Sequence, residues 1–190
     1  MLDRTLLVLS AVLVLAGGAG YLAGTLKGTV TPNRVTWFLW SLAPFVAFAG
    51  EVDKGVGLAA ITTLMVGVNS LLVFAASFFT PRSVWQIGRL DAACGVLSLA
   101  GLVLWDVTRE GNLAILLAIA ADALAAAPTV VKAYVAPATE DARAYLLWAL
   151  GSGVTLFTLH AWDFASAAFP VYLLVMSLTL FVLIKFNRRQ

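Results

Sequence analysis

The chain has 190 residues, of which 62% are hydrophobic, and a mean hydropathy of +0.96. Apolar residues make up only roughly half of a soluble domain, so this composition excludes a soluble fold and indicates a protein that lies in the bilayer. The formal net charge of +2 is spread among short segments, which argues against a nucleic-acid partner. The single cysteine, Cys94, lies within an apolar segment, where a thiol packs as a small hydrophobe.

Seven apolar segments are long enough to cross a bilayer as helices, which takes about 20 residues. The first shows no obvious small-residue cleavage site, so we expect a retained helix rather than a removed signal peptide. The sequence therefore predicts an all-α integral membrane protein with seven transmembrane helices. The predicted spans are 4–26, 32–50, 56–79, 81–105, 112–135, 140–160 and 164–186.

Three of these segments begin with residues that are typical of helix N-termini. Thr31-Pro32 and Thr80-Pro81 each place a capping hydroxyl before a proline at the first helical position. Thr139-Glu140-Asp141 supplies acids that suit the positive end of a helix dipole. Each of these starts closely follows the preceding segment, so we expect antiparallel, tightly connected neighbours.

The lysines and arginines divide unequally between the two ends of the predicted bundle. Cytoplasmic loops carry the excess of these residues, so the side with nine of them should face the cytoplasm. We therefore expect an external N-terminus and a cytoplasmic C-terminus, in the plasma (inner) membrane of a bacterium or archaeon. The other side holds three, Arg4, Lys54 and Arg109, against Lys27, Arg34, Arg82, Arg89, Lys132, Arg143, Lys185, Arg188 and Arg189.

A shift of 108 residues aligns two stretches of the chain without a gap. Residues 31–40 fall on residues 139–148, and both stretches end in an aromatic-x-x-Trp pair on one helix face. The same shift places Asn69 opposite Ser177. We therefore expect one transmembrane domain, 1–190, built from two parallel three-helix repeats, 1–80 and 108–190, joined by a linker helix in 81–107. Repeats with a site at their interface are common in transporters.

The three-plus-one-plus-three layout resembles the SWEET and PQ-loop transporter family. The closest match is Pro128-Thr129-Val-Val-Lys132 followed by Glu140 and Trp148, which resembles the Pro-Gln motif of that family with its lysine and downstream aromatic helix. Thr129 departs from the glutamine of the motif. The aromatic pair Trp37-x-x-Trp40 fits the related PnuC-type vitamin transporters about as well.

The resemblance implies roles for particular residues. In this family a tryptophan on the second helix of a repeat and an asparagine on the third line a sugar site, which implies Trp40 and Asn69 in the first repeat and Trp148 in the second. Ser177 takes the place of the second asparagine. The prolines of the motif are thought to act as hinges, a role implied for Pro128, although the equivalent position of the first repeat is Gly20.

Five polar or amphipathic residues lie at nearly the same predicted depth in different helices: Trp40, Asn69, Asp122, Trp148 and Ser177. Such residues are costly in hydrocarbon and mark functional sites. We expect Trp40, Asn69, Trp148 and Ser177 to bind a small polar solute, and Asp122 to carry a coupled proton. The alternatives are interhelical packing for the tryptophans and hydrogen bonds between helices for Asn69 and Asp122.

Pro44 and Pro128 interrupt predicted helices and are candidate hinges. Asp91 lies near the cytoplasmic end of the fourth segment, and we expect it to pair with Arg143 or Lys27. A Gly20-x-x-x-Gly24 stripe permits close helix approach and is compatible with a homo-oligomer.

The sequence contains no pattern typical of an enzyme or of a cofactor site. His160 is the only histidine and no cysteine cluster accompanies it, so we expect no metal site and no cofactor. The expected partners are a small-molecule solute and membrane lipid. The function predicted is alternating-access transport of a sugar-like or vitamin-like solute. A non-transporting receptor or scaffold of the same fold is the alternative, because fold alone does not determine function.

Overall fold

The structure is a computed structural model in which residues 2–80, 86, 88–108 and 110–187 are described. Within these ranges the regular structure is entirely helical, which confirms the all-α prediction. Two short 3-10 turns, Gly57–Ala59 and Pro137–Thr139, precede the third and sixth helices. The α-helices are α1 Leu2–Lys27, α2 Arg34–Asp53, α3 Ala60–Ala76, α4 Arg89–Thr108, α5 Gly111–Val135, α6 Ala142–Leu156 and α7 Phe164–Asn187.

In the described part of the chain, five helical segments are long and apolar enough to cross a membrane, which is compatible with an integral membrane protein. By contrast α6 has only 15 residues, fewer than the roughly 20 that a straight crossing needs. The five segments are Arg4–Lys27, Arg34–Asp53, Gly57–Ala76, Gly111–Val135 and Phe164–Asn187.

The start of α2 differs from the prediction. The helix begins at Arg34 rather than at Pro32, and its N-cap is Asn33 rather than Thr31. The side-chain oxygen of Asn33 accepts hydrogen bonds from the backbone N–H groups of Val35 and Thr36. An amide oxygen thus satisfies two N–H groups that the first turn leaves free.

The predicted caps of the fourth and sixth helices also need correction. Asp141 alone caps α6, since its carboxylate accepts the Arg143 N–H at 2.9 Å, whereas Glu140 is fully buried elsewhere. The helix α4 begins at Arg89, eight residues after the predicted start. Pro81 of the predicted Thr80-Pro81 cap lies outside the described residues.

The predicted ion pair of Asp91 with Arg143 or Lys27 does not form in the described part of the chain. The side-chain amide of Asn33 donates to one carboxylate oxygen of Asp91, and the Gly88 N–H donates to the other at 2.6 Å. Asp91 therefore ties the start of α4 to the start of α2.

Helix packing follows the same order in the first and last three helices. The helix α3 packs against both α1 and α2, and α7 packs against both α5 and α6. Across the two groups α1 packs against α6, and α2 packs against α5. The helix α4 lies against α5 and, less extensively, against α2.

Glycines on α1 allow close helix approach. A Cβ at Gly17 would lie 2.9 Å from the indole nitrogen of Trp148 on α6, and one at Gly18 would overlap the side-chain amide of Asn69 on α3. Two neighbouring helices therefore approach α1 at the depth where the predicted site residues lie. The close approach of α6 positions Trp148, and that of α3 positions Asn69.

Candidate functional site

A cavity lies inside the bundle, between α2, α3, α5, α6 and α7; we call it the central cavity. It contains four of the predicted site residues: Trp40, Asp122, Trp148 and Ser177. Its volume is about 40 Å³, which is room for a few water molecules. The other lining residues are Trp37, Val66, Ser70, Tyr145, Ser152, Leu173, Met176 and Leu180.

One wall of the central cavity is formed by Trp37, Trp40, Tyr145 and Trp148, and Tyr21 packs against these rings to complete an aromatic cluster. Ring centroids of Tyr21 and Trp37 are 4.5 Å apart, those of Tyr145 and Trp148 5.2 Å, and those of Trp37 and Trp40 5.3 Å. Trp37 and Trp148, from the two halves of the chain, lie 5.9 Å apart. Tilted and edge-to-face rings at these distances attract one another. The wall of the cavity therefore consists mainly of planar aromatic groups that pack against each other.

The indole N–H groups of the two predicted tryptophans bind backbone carbonyl oxygens. Trp40 donates to the carbonyl of Asp122 at 3.2 Å, and Trp148 donates to that of Val14 at 3.1 Å. Each tryptophan therefore presents a ring to the cavity while its polar atom links two helices. The two tryptophans thus lie at the cavity, as predicted, and they also make the interhelical contacts that the alternative interpretation expected.

The carboxyl group of Asp122 belongs to the central cavity and is 3% exposed. Its Oδ2 atom accepts a hydrogen bond of 2.6 Å from the hydroxyl of Tyr172 on α7. Among the described residues no lysine or arginine pairs with it. A buried carboxyl with a neutral partner is able to exchange a proton with the cavity.

Asn69 does not line the central cavity. Its side-chain amide donates to the Val14 carbonyl at 2.8 Å, the same oxygen that accepts from Trp148. Asn69 therefore links α3 to α1 and fixes the acceptor of the Trp148 indole. The neighbouring residue Ser70 lines the cavity instead.

Both predicted hinge prolines are buried within continuous helices, Pro44 in α2 and Pro128 in α5. Proline removes a backbone N–H and frees carbonyls one turn earlier. The hydroxyl of Thr36 donates to the carbonyl of Ala125 at 2.8 Å, three residues before Pro128, and the Thr129 hydroxyl donates to Thr36 at 3.2 Å. The interrupted part of α5 is therefore bonded to α2, and the hinge role stays a prediction.

A buried ion pair lies behind the aromatic cluster. Lys132 Nζ and Glu140 Oε1 are 2.5 Å apart, and neither side chain is exposed. The other oxygen of Glu140 accepts hydrogen bonds from the hydroxyls of Tyr21, at 2.8 Å, and Tyr145, at 3.0 Å. Lys132 also donates to the carbonyl of Thr31. This network joins α1, α5 and α6 to the α1–α2 loop.

Sequence reasoning missed several polar residues of the site. Ser70 and Ser152 line the central cavity, and Tyr172 satisfies Asp122. Outside the central cavity, sequence reasoning also missed Glu51, which is 1% exposed and accepts a 3.0 Å hydrogen bond from Thr63 through one carboxyl oxygen. An acid within an apolar segment is a detectable signal, because it needs a donor on a neighbouring helix.

No cluster of three or more metal-ligating side chains occurs among the described residues. The central cavity instead offers aromatic faces, serine hydroxyls and one carboxyl group, which is a setting for a small neutral or hydrogen-bonding molecule. Comparisons with protein-family models, with curated proteins and with solved structures find no match to this chain.

Proposed function

We propose that this chain is an integral membrane transporter that moves a small polar solute by alternating access through the central cavity. The observation that carries the proposal is the composition of that cavity. Its lining combines indole rings from α2 and α6 with the side chains of Ser70, Ser152 and Ser177 and with Asp122. Polar groups at this depth are expensive in a membrane unless a solute or water uses them.

The packing order supports a seven-helix, three-plus-one-plus-three arrangement with two parallel repeats. In each repeat the third helix packs against the first and second, and the contacts of α1 with α6 and α2 with α5 are the counterparts across the interface. On this proposal the central cavity lies between the repeats, where transporters of repeat architecture bind their solutes.

The volume of the central cavity identifies the conformation. Sites for drug-sized ligands measure roughly 300–1,000 Å³, whereas this cavity measures about 40 Å³. A sugar-like or vitamin-like solute therefore enters only after the helices around the cavity separate. On the transport proposal, this small cavity corresponds to the closed state between the two open states of alternating access.

Asp122 is the proposed proton-coupling group. It lines the cavity, its backbone carbonyl accepts the indole N–H of Trp40 across the interface between the repeats, and its carboxyl accepts from Tyr172, which joins α5 to α7 within the second repeat. Loss or gain of a proton at this carboxyl changes the strength of that bond. Proton binding is thereby linked to the contact between two helices that line the cavity.

Uptake into proteoliposomes tests the proposal. Labelled sugars, amino acids and B-vitamin precursors are offered to the wild-type chain, to Asp122→Asn, and to Asp53→Asn as a matched control on an exposed acid outside the cavity. We expect uptake of one solute class driven by a proton gradient, with the gradient dependence lost in Asp122→Asn alone. Equal behaviour of the two variants would refute the coupling role.

A non-transporting receptor or scaffold is the second candidate. Two observations favour it. The indole N–H groups of Trp40 and Trp148 bind backbone oxygens rather than facing the cavity, and the cavity is small. Calorimetric binding of a panel member by folded protein that shows no uptake would support the receptor over the transporter.

A further inference from the structure

A second, larger cavity opens at the end of the bundle where α1 begins; we call it the vestibule. It measures about 550 Å³ and is bounded by the start of α1, the α2–α3 turn and the α6–α7 loop. Arg4, Lys54 and His160 line it and are exposed. Under the predicted orientation the vestibule faces the outside of the cell.

Along α6 and the turn that follows it, Thr155 lies between the central cavity and the vestibule. Thr158 lines the vestibule, Ser152 lines the central cavity, and Thr155 lies midway between them. Residues three apart share one helix face, and three residues rise about 4.5 Å along a helix. Thr155 is therefore about one turn from each cavity.

The helix α3 repeats this order. Ala59, just before the helix, lines the vestibule, Val66 lines the central cavity, and Thr62 lies between them. On α1 Leu7 lines the vestibule and Ser10 follows one turn later. Three helices thus place a hydroxyl at one level between the two cavities.

These three hydroxyls, Ser10, Thr62 and Thr155, form one buried hydroxyl cluster. The Ser10 oxygen is 2.7 Å from that of Thr155 and 3.2 Å from that of Thr62, and the last two are 3.1 Å apart. The carbonyl of Gly151 lies 2.9 Å from Ser10 and 3.1 Å from Thr155. All three side chains are at most 4% exposed. One set of hydrogen bonds therefore closes the gap between α1, α3 and α6.

The barrier on the other side of the central cavity is of a different kind. The rings of Tyr21, Trp37 and Tyr145 pack there, and the Lys132–Glu140 ion pair lies behind them with no exposed surface. Opening that side requires separating aromatic rings and breaking the hydrogen bonds that Tyr21 donates to Glu140 and Lys132 donates to the Thr31 carbonyl, which exposes a buried charge pair. Opening the vestibule side requires exchanging three hydroxyl contacts, for which water or a polar solute supplies replacement hydrogen bonds.

We infer that Ser10, Thr62 and Thr155 are the gate through which solute passes between the vestibule and the central cavity. The inference rests on the proposed transport function and adds to it the entry route and the residues that close it. The gate opens more readily than the aromatic and ionic barrier opposite, so the central cavity is reached first from the side on which α1 begins.

Cysteine accessibility tests the gate without any solute. The reporter is Ser177→Cys in a Cys94→Ser background, labelled by a membrane-impermeant trimethylammonium methanethiosulfonate added to one side at a time. The gate variants are Thr62→Ala and Thr155→Ala. The control is Thr25→Ala, which removes a buried hydroxyl of α1 that donates to the Tyr21 carbonyl within the same helix.

We expect each gate variant to speed labelling from the vestibule side about three- to twentyfold, the factor that loss of one interhelical hydrogen bond in a membrane implies. Thr25→Ala and labelling from the opposite side should keep the reference rate. Thr62→Ser and Thr155→Ser retain the hydroxyl and should also keep it, which separates gating from misfolding.

Three results would refute the assignment of the gate. These are equal labelling rates in the gate variants and the control, faster labelling from the opposite side alone, or no labelling of folded protein from the vestibule side in any variant. Since labelling needs no transported solute, the gate is judged separately from transport. Faster labelling with no uptake would leave the gate in place and remove the transport proposal.

Discussion

Replacing Glu140 with glutamine should destabilise the protein more than any exposed substitution. Lys132 and Glu140 are 2.5 Å apart and fully buried, and breaking a buried pair by removing one charge costs about 3–5 kcal/mol. Glutamine keeps the side-chain shape and an oxygen that accepts from Tyr21 and Tyr145. Glu140→Gln therefore isolates the loss of charge next to the buried ammonium of Lys132.

The expected result is a lower melting temperature in detergent, followed by intrinsic tryptophan fluorescence. For a chain of this length 1 kcal/mol corresponds to about 2–4 °C, so Glu140→Gln should lower the melting temperature by about 6–20 °C. The double variant Lys132→Met, Glu140→Gln should melt higher than Glu140→Gln alone, because it leaves no unpaired buried charge.

The control is the exposed ion pair of Lys54 and Glu110, whose charged atoms are 2.8 Å apart. Exposed pairs contribute about 0–1 kcal/mol, so Lys54→Met should lower the melting temperature by at most about 4 °C. A Glu140→Gln protein that melts within about 2 °C of the wild type, or a double variant less stable than the single one, would refute the reasoning.

Two further predictions concern a helix contact and an exposed carboxyl. Gly18→Ala should lower the melting temperature because its Cβ would overlap Asn69, while Gly20→Ala, whose Cβ meets nothing within 4 Å, should match or exceed the wild type; the reverse order would contradict the close approach of α1 and α3. The pKa of Glu110 is lowered by a hydrogen bond from Lys54 and by the charge of Lys54. The stability that Glu110 contributes is therefore present above its unfolded pKa of about 4.3. This contribution is lost as the pH falls through the lower pKa of the folded protein. The melting temperatures of wild type and Glu110→Gln should therefore differ at neutral pH and converge in acid, and a constant difference across the titration would count against this linkage.

Hydropathy predicts the bounds of three of the seven helices closely, because these three are the longest apolar helices of the chain. The bounds of α1, α5 and α7 lie within two residues of the predicted spans at each end. The third span is predicted to start at 56, but α3 begins at Ala60 after a 3-10 turn. Gly55 and Gly57 have φ values of +73° and +78°, a conformation open to glycine that ends regular helix. An apolar window does not detect such a local break.

The sequence predicts the level of the site along the helices, but it does not predict which face of each helix points into the cavity. Trp40, Asp122, Trp148 and Ser177 all line the central cavity, since distance from the helix ends fixes their level. Asn69 does not, because one residue along a helix turns the side chain by about 100°, and Ser70 takes the cavity position. Rotation depends on which neighbour packs against each face, and the close contact of Gly18 with Asn69 determines it for α3.

The buried ion pair shows that the position of a charged residue in the sequence does not determine whether it lies in a loop, at a helix cap or in the core. Lys132 counts among the nine basic residues that predict the cytoplasmic side, and Glu140 lies within a capping sequence. In the fold each neutralises the other, with two tyrosine hydroxyls on the carboxylate, so Lys132 contributes little to the charge of a loop. Eight basic residues against three still favour the same orientation. Opening the bundle on the side of this pair must break the bonds of Tyr21 to Glu140 and of Lys132 to the Thr31 carbonyl and expose both charges, whereas the hydroxyl cluster at the other end contains no charged group.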